Sequence, residues 1–159
     1  MNNLAKELTE DLSTLEATRK NILNLLSKFS LDQVNLIPAG FNNNLAWNAG
    51  HCWVTQKLLT YGLSGKNTGL SAEIIAAYKK GSAPTAPLSA EAWAEIIEGL
   101  TNSVEELKTD LESSTWADHK PYTTSYGVTI SHVRKGVRFN NTHEGMHYGV
   151  MLALGKLVE

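Results

Sequence analysis

Apolar side chains recur three, four and seven positions apart along most of this chain, a spacing that belongs to amphipathic helices. Leu4, Leu8, Leu12, Leu15, Ile22, Leu26 and Phe29 lie on one stripe. They predict a long first helix ending near Ser30, with Pro38 and Gly40 in the loop beyond it. Asn42, Asn43 and Asn44 offer N-caps for a second helix from about Leu45 to Gly62, and Gly62, Gly65 and Gly69 break it. A short helix is expected around Ala72 to Lys79, before the breaker stretch Gly81 to Pro87. Ser89 caps a third long helix with Glu91 in its first turn, and Trp93, Ile96, Ile97, Leu100, Val104, Leu107 and Leu111 form its stripe. The stretch from Ser113 to Gly127 reads as an ordered loop. Thr129 is the expected cap of a last helix reaching about Leu157, with Val133, Val137, Asn140, His143, His147, Val150, Met151 and Leu154 on one face.

No strand alternation persists and no internal repeat recurs at a fixed period. The expectation is an all-α four-helix bundle in a single domain spanning residues 1–159. Its connections, roughly 10–25 residues long, exceed those of simple up-down bundles and leave room for a crossover or a lid. Composition enters as a filter. The 159 residues are 42% hydrophobic and 19% charged, values of a soluble globular chain rather than a disordered one. A formal charge of -2 makes no field for nucleic acid or an anionic membrane. No run reaches the ~20 apolar residues that span a bilayer, and Met1 to Leu8 lacks the apolar block of a signal peptide. Cys52 is alone, which suits a reducing compartment. The default is a cytoplasmic protein. Apolar positions such as Ile74, Ile75, Leu107 and Leu111 are compatible with a homodimer.

The chemistry lies in the histidines. His143 and His147 are four apart, so their side chains leave one helix face about 6 Å apart along the axis. That face is the apolar stripe, where two imidazoles need partners and a metal ion satisfies their lone pairs. His51 sits on the second helix in phase with Asn48, Thr55, Leu58 and Gly62. Packed side by side, the two helices bring three nitrogens together and leave a coordination position open, the arrangement of catalytic rather than structural zinc. His132 lies ~16 Å from His143 along the axis and belongs to no such site. His119, in a loop beside Asp118 and Lys120, is expected in solvent. Cys52, rotated about 100° from His51, reads as a small buried residue.

His143-Glu144-Gly145-Met146-His147 also fits the HExxH pattern of zinc proteases, in which the glutamate is the general base. Only 12 residues follow His147, too few for the usual downstream ligand helix. The extended form needs Gly and His where Val150 and Ala153 stand. The third ligand must come from upstream. Glu144 then remains a candidate base or partner of a ligand, with an exposed helix carboxylate as the competing reading.

Trp47-Asn48-Ala49-Gly50-His51 and the run Asn141 to Gly149 together resemble the DinB-like superfamily of four-helix-bundle metalloproteins, in helix order and spacing over nearly the whole chain. The resemblance implies one divalent ion, often zinc or nickel, on His51, His143 and His147. Met146 and Tyr148-Gly149-Val150 replace the His and Arg-Gly-Gln of many members. Relatives include S-transferases that use low-molecular-weight thiols and a thiol-dependent isomerase. The resemblance therefore implies a thiol and a small-molecule substrate as partners. A metal-dependent hydrolase and a non-catalytic metal- or ligand-binding module stand as alternatives. Tyr122, Tyr126 and Trp47 are candidates for the walls of the site.

Overall fold

The first apolar stripe winds as two joined pieces in a computed structural model that describes residues 4–117 and 119–159. Helix α1 (Leu4–Glu7) passes through Leu8 into α2 (Thr9–Leu26), and the hydrogen bonds Leu8 to Leu4 and Leu12 to Leu8 bridge the joint. The rod ends at Leu26, four residues before Ser30, because Ser30 caps a helix of its own. Its hydroxyl accepts from the Gln33 amide and the Gln33 side chain returns to the Ser30 amide. This capping box opens the short α3 (Leu31–Asn35), absent from the sequence expectation although Ser30-x-x-Gln33 spells its signature.

Asn44 proves to be the cap of α4 (Leu45–Lys57), its side chain accepting from the Trp47 amide at 2.8 Å. All of α4 except Thr55 is buried, since α3 and α5 (Ala72–Tyr78) cover the sides that the bundle leaves open. Its last turn, Leu58–Gly62, is a π turn. Helix α7 (Val133–Val158) meets that turn closely at Gly136, where a Cβ would stand 2.4 Å from the Leu59 carbonyl oxygen. Helix α6 (Ala90–Ser113) is capped by Ser89 as expected and buries Ile96, Leu100, Val104, Leu107 and Leu111. Leu107 and Leu111 are fully enclosed in the chain's own core, so they offer no surface to a second copy.

The loop before the last helix holds a small antiparallel hairpin, β1 (Tyr122–Thr123) and β2 (Thr129–Ile130), with Tyr122 opposite Ile130 and Thr123 opposite Thr129. Gly127 turns it at φ +76°. Thr129 is thus a strand residue and not a cap. The cap of α7 is His132, whose ring nitrogen accepts from the Lys135 amide.

The four principal helices close a ring in the order α2, α6, α4, α7, each packing on its two neighbours. Consecutive pairs α2–α4 and α6–α7 therefore lie across the diagonals, and the long connections make those crossings. Two apolar clusters fill the interior. One gathers Ile22, Leu26, Trp53, Leu100, Met151 and Leu154; the other gathers Leu8, Leu15, Tyr61, Leu107, Val133 and Val137.

A buried polar layer contains one or more side chains from each of the four helices. Arg19 donates from Nε and Nη2 to the two Glu144 carboxylate oxygens, Nη2 also reaches the Gln56 side-chain oxygen, and Nη1 reaches the Leu100 carbonyl and the Ser103 hydroxyl. Asn140 donates to Glu144 at 2.9 Å and Gln56 donates to the Ser103 carbonyl at 3.1 Å. Every donor direction of the guanidinium is used, which is the condition for burying such a pair without a large penalty. Among the described residues, no helix is long and apolar enough to cross a membrane.

Candidate metal centre

Helix α4 presents His51 and helix α7 presents His143 and His147, and their ligand nitrogens lie within 4.8 Å of one another. No other group of three such residues comes together among the described residues. Two of the rings, those of His51 and His147, are aimed by a partner behind them. The Nδ1 of His51 stands 2.6 Å from the carbonyl of Tyr78, the last residue of α5. A carbonyl only accepts, so Nδ1 carries the proton and Nε2 keeps its lone pair. Gly50 makes this approach possible. A Cβ there would meet the Tyr78 ring at 2.5 Å, and glycine inside the helix is tolerated at a cost of about 1 kcal/mol.

His147 is fixed by a longer chain of asparagines. The Asn48 amide nitrogen donates to Asn44 O at 2.8 Å and Asn43 Oδ1 at 2.9 Å. Its oxygen must therefore face His147 Nδ1, at 2.8 Å, which places the proton on Nδ1 and bares Nε2. The asparagine run expected only to cap α4 also orients a ligand on α7. Replacing Asn48 by alanine is expected to weaken metal affinity about 10–100-fold with near-wild-type helicity. Competition with a chromogenic chelator measures it, and an unchanged affinity would show that the amide has no orienting role.

The Nε2 atoms of His51 and His143 are 3.1 Å apart. Nitrogens each about 2.1 Å from one ion, at ligand angles of about 90–110°, stand about 3.0–3.4 Å apart. The observed pair fits an ion between them. Burial, with His147 and His51 nearby, holds His143 down to about 3. Burial and then His51 hold His147 down to about 4. Burial also lowers His51, opposed by the Tyr78 carbonyl. All three are uncharged at neutral pH, the form that ligates.

These rings border a cavity of about 200 Å³. Tyr122 and Tyr126 of the hairpin, Leu59 of the π turn, and Phe139 and Met146 of α7 supply its apolar walls. Tyr126 stands edge-on to Phe139 at 5.6 Å and its hydroxyl meets the Met146 sulfur at 3.0 Å. Trp47 does not line the cavity. It stacks on the face of His51, centroids 4.6 Å apart and nearly parallel, and so backs the ligand. Phe139, Met146 and Leu59 escaped sequence reasoning, although Phe139 and Met146 precede His143 and His147 by four residues and one.

Two expectations change. Glu144 neither faces solvent nor lines the cavity; it is fully buried, with both oxygens held by Arg19. The exposed-carboxylate reading fails because position 144 continues the buried phase of Asn140, His147 and Met151. His119 is buried rather than in solvent, its ring nitrogen 2.8 Å from the Ser64 hydroxyl and its amide bonded to Ser131. Asp118, its expected neighbour, lies outside the described residues. His132 takes the capping role given above, remote from the site. Cys52 is enclosed as expected, and burial, with Glu144 adding and Arg19 opposing, raises its thiol so that it stays protonated.

A conserved protein from Enterococcus faecalis, known from its crystal structure, matches 95% of this chain and 96% of its own at TM-score 0.65. At 17% identity that likeness speaks for the fold alone. No curated protein matches. The family model of the DinB superfamily matches residues 14–151, which include all three histidines and the Arg19–Glu144 pair. By that match and by its helical architecture, the chain belongs to the DinB superfamily.

Proposed function

We propose that this protein is a metal-dependent thiol S-transferase. In this reading His51, His143 and His147 hold one divalent transition-metal ion, zinc or nickel, and a low-molecular-weight thiol attacks an electrophile in the cavity above them. One observation carries it: three uncharged imidazoles converge beneath an apolar cavity whose lining has no carboxylate. Three protein ligands leave a position for an exogenous one.

When bound, the ion lowers the pKa of a thiol beside it, so that the sulfur is a thiolate near neutral pH. The chain supplies the rest. Tyr78 and Asn48 keep His51 and His147 in the tautomers that offer Nε2. Tyr122, Tyr126, Phe139 and Met146 place apolar surface beside the sulfur and the electrophilic carbon. The step balances simply. The thiol proton goes to solvent, the sulfur pair forms the new S–C bond, and the leaving group departs with the old bonding pair. Glu144 has no part in it, because Arg19 holds its carboxylate.

Metal-loaded protein with a chloronitroaromatic electrophile and a panel of thiols tests the reading. The expected rate is roughly a hundredfold above that of the same mixture with His143→Ala protein. No rate from fully loaded protein would favour a binding module, and ester cleavage without thiol would favour a hydrolase; either outcome overturns the transferase.

A further inference from the structure

The charge inventory of the histidine cavity is one-sided. Its lining contains no aspartate and no glutamate, and Lys80 is its one fully charged side chain. Lys80 is exposed, two residues beyond the Tyr78 carbonyl that orients His51, and none of the ion pairs among the described residues includes it. Three uncharged imidazoles offset nothing of a divalent ion. A loaded site thus holds two positive charges at its floor and a third on its wall, in a space of about 200 Å³. A neutral ligand offsets neither charge, and a cationic one adds to their repulsion. A ligand with a negative group at each end offsets both.

We infer that Lys80 determines specificity at this site, and that the thiol it selects carries a carboxylate. The ammonium holds the carboxylate while the sulfur faces the three histidines, and the stem between them lies against Tyr126 and Phe139. The cavity is smaller than the roughly 300 Å³ at which ordinary small-molecule sites begin. It encloses a short mercaptocarboxylate; a larger thiol leaves its remainder in solvent. This inference rests on the thiol-transferase reading.

Cobalt-loaded protein, titrated by its visible absorption, provides the test. The probes are 3-mercaptopropionate, 2-mercaptoethanol and cysteamine, which differ in the charge opposite the sulfur. Wild-type protein is expected to bind mercaptopropionate about tenfold more tightly than mercaptoethanol, with cysteamine weakest. Lys80→Met brings the first two within about twofold, by weakening mercaptopropionate alone, and Lys80→Arg keeps the preference. Equal binding of the first two by wild type, or a preference that survives Lys80→Met, overturns the inference and leaves the thiol reading standing. If no thiol alters the spectrum of either protein, both fall together. Because Lys80 is exposed and outside the core, the variants keep the fold, which far-ultraviolet circular dichroism verifies.

Discussion

Replacing His147 by alanine is expected to take tag-free protein from near one transition-metal ion per chain to none detectable by elemental analysis. The size of the effect follows from the ligand count. With three protein nitrogens, the loss of one leaves two protein ligands, fewer than zinc sites ordinarily have. It also deletes the acceptor chain's purpose, since Asn48 would then orient nothing on α7. Added metal should raise the melting temperature of the wild type and leave that of the variant unmoved, because only the wild type gains binding free energy in its native state. His132→Ala, which touches only the cap of α7, serves as the control and should keep its ion. Unchanged metal content in the His147 variant would sink the three-histidine site.

The second large effect belongs to stability. Arg19→Met should cost about 3–5 kcal/mol, because it strands the Glu144 charge in the interior with Asn140 as its remaining partner. Against a total of about 5–15 kcal/mol for an ordinary domain, that is a large fraction. The melting temperature should fall by about 6–20 °C. The double change Arg19→Met with Glu144→Leu should recover most of the loss, since it removes both charges and keeps the volume. Urea unfolding of the four proteins closes the cycle. A single variant within about 1 kcal/mol of wild type would show that water reaches the pair and that the layer is not sealed.

That layer also marks where sequence reasoning ends. Helical phase placed α2, α4, α6 and α7 well, and it singled out the three histidines that the fold brings together. It failed to place Arg19 and Glu144 for one reason. A charge on an apolar stripe reads as a gap, although Arg19 lies four after Leu15 and three before Ile22, and Glu144 four after Asn140 and three before His147. Each charge looks wrong until its partner, 125 residues away, is known. The π turn leaves no mark on a periodicity because it changes the phase within five residues. The hairpin strands are two residues each, too short to alternate. His119 was misplaced since burial of a loop residue depends on what packs over it, here Ser64 beyond the π turn.

The diagonal arrangement of consecutive helices has a kinetic meaning. Among the described residues, α4 and α6 are the only successive long helices that pack extensively on one another, so a growing chain cannot bank its structure as a series of helical hairpins. The ring closes only when α7 docks between α2 and α4, joining residues 92 positions apart at His51 and His143. Such long sequence separations slow folding. They also order events: until α7 has docked, His51 lies apart from His143 and His147, so the three-histidine cluster exists only in the assembled bundle.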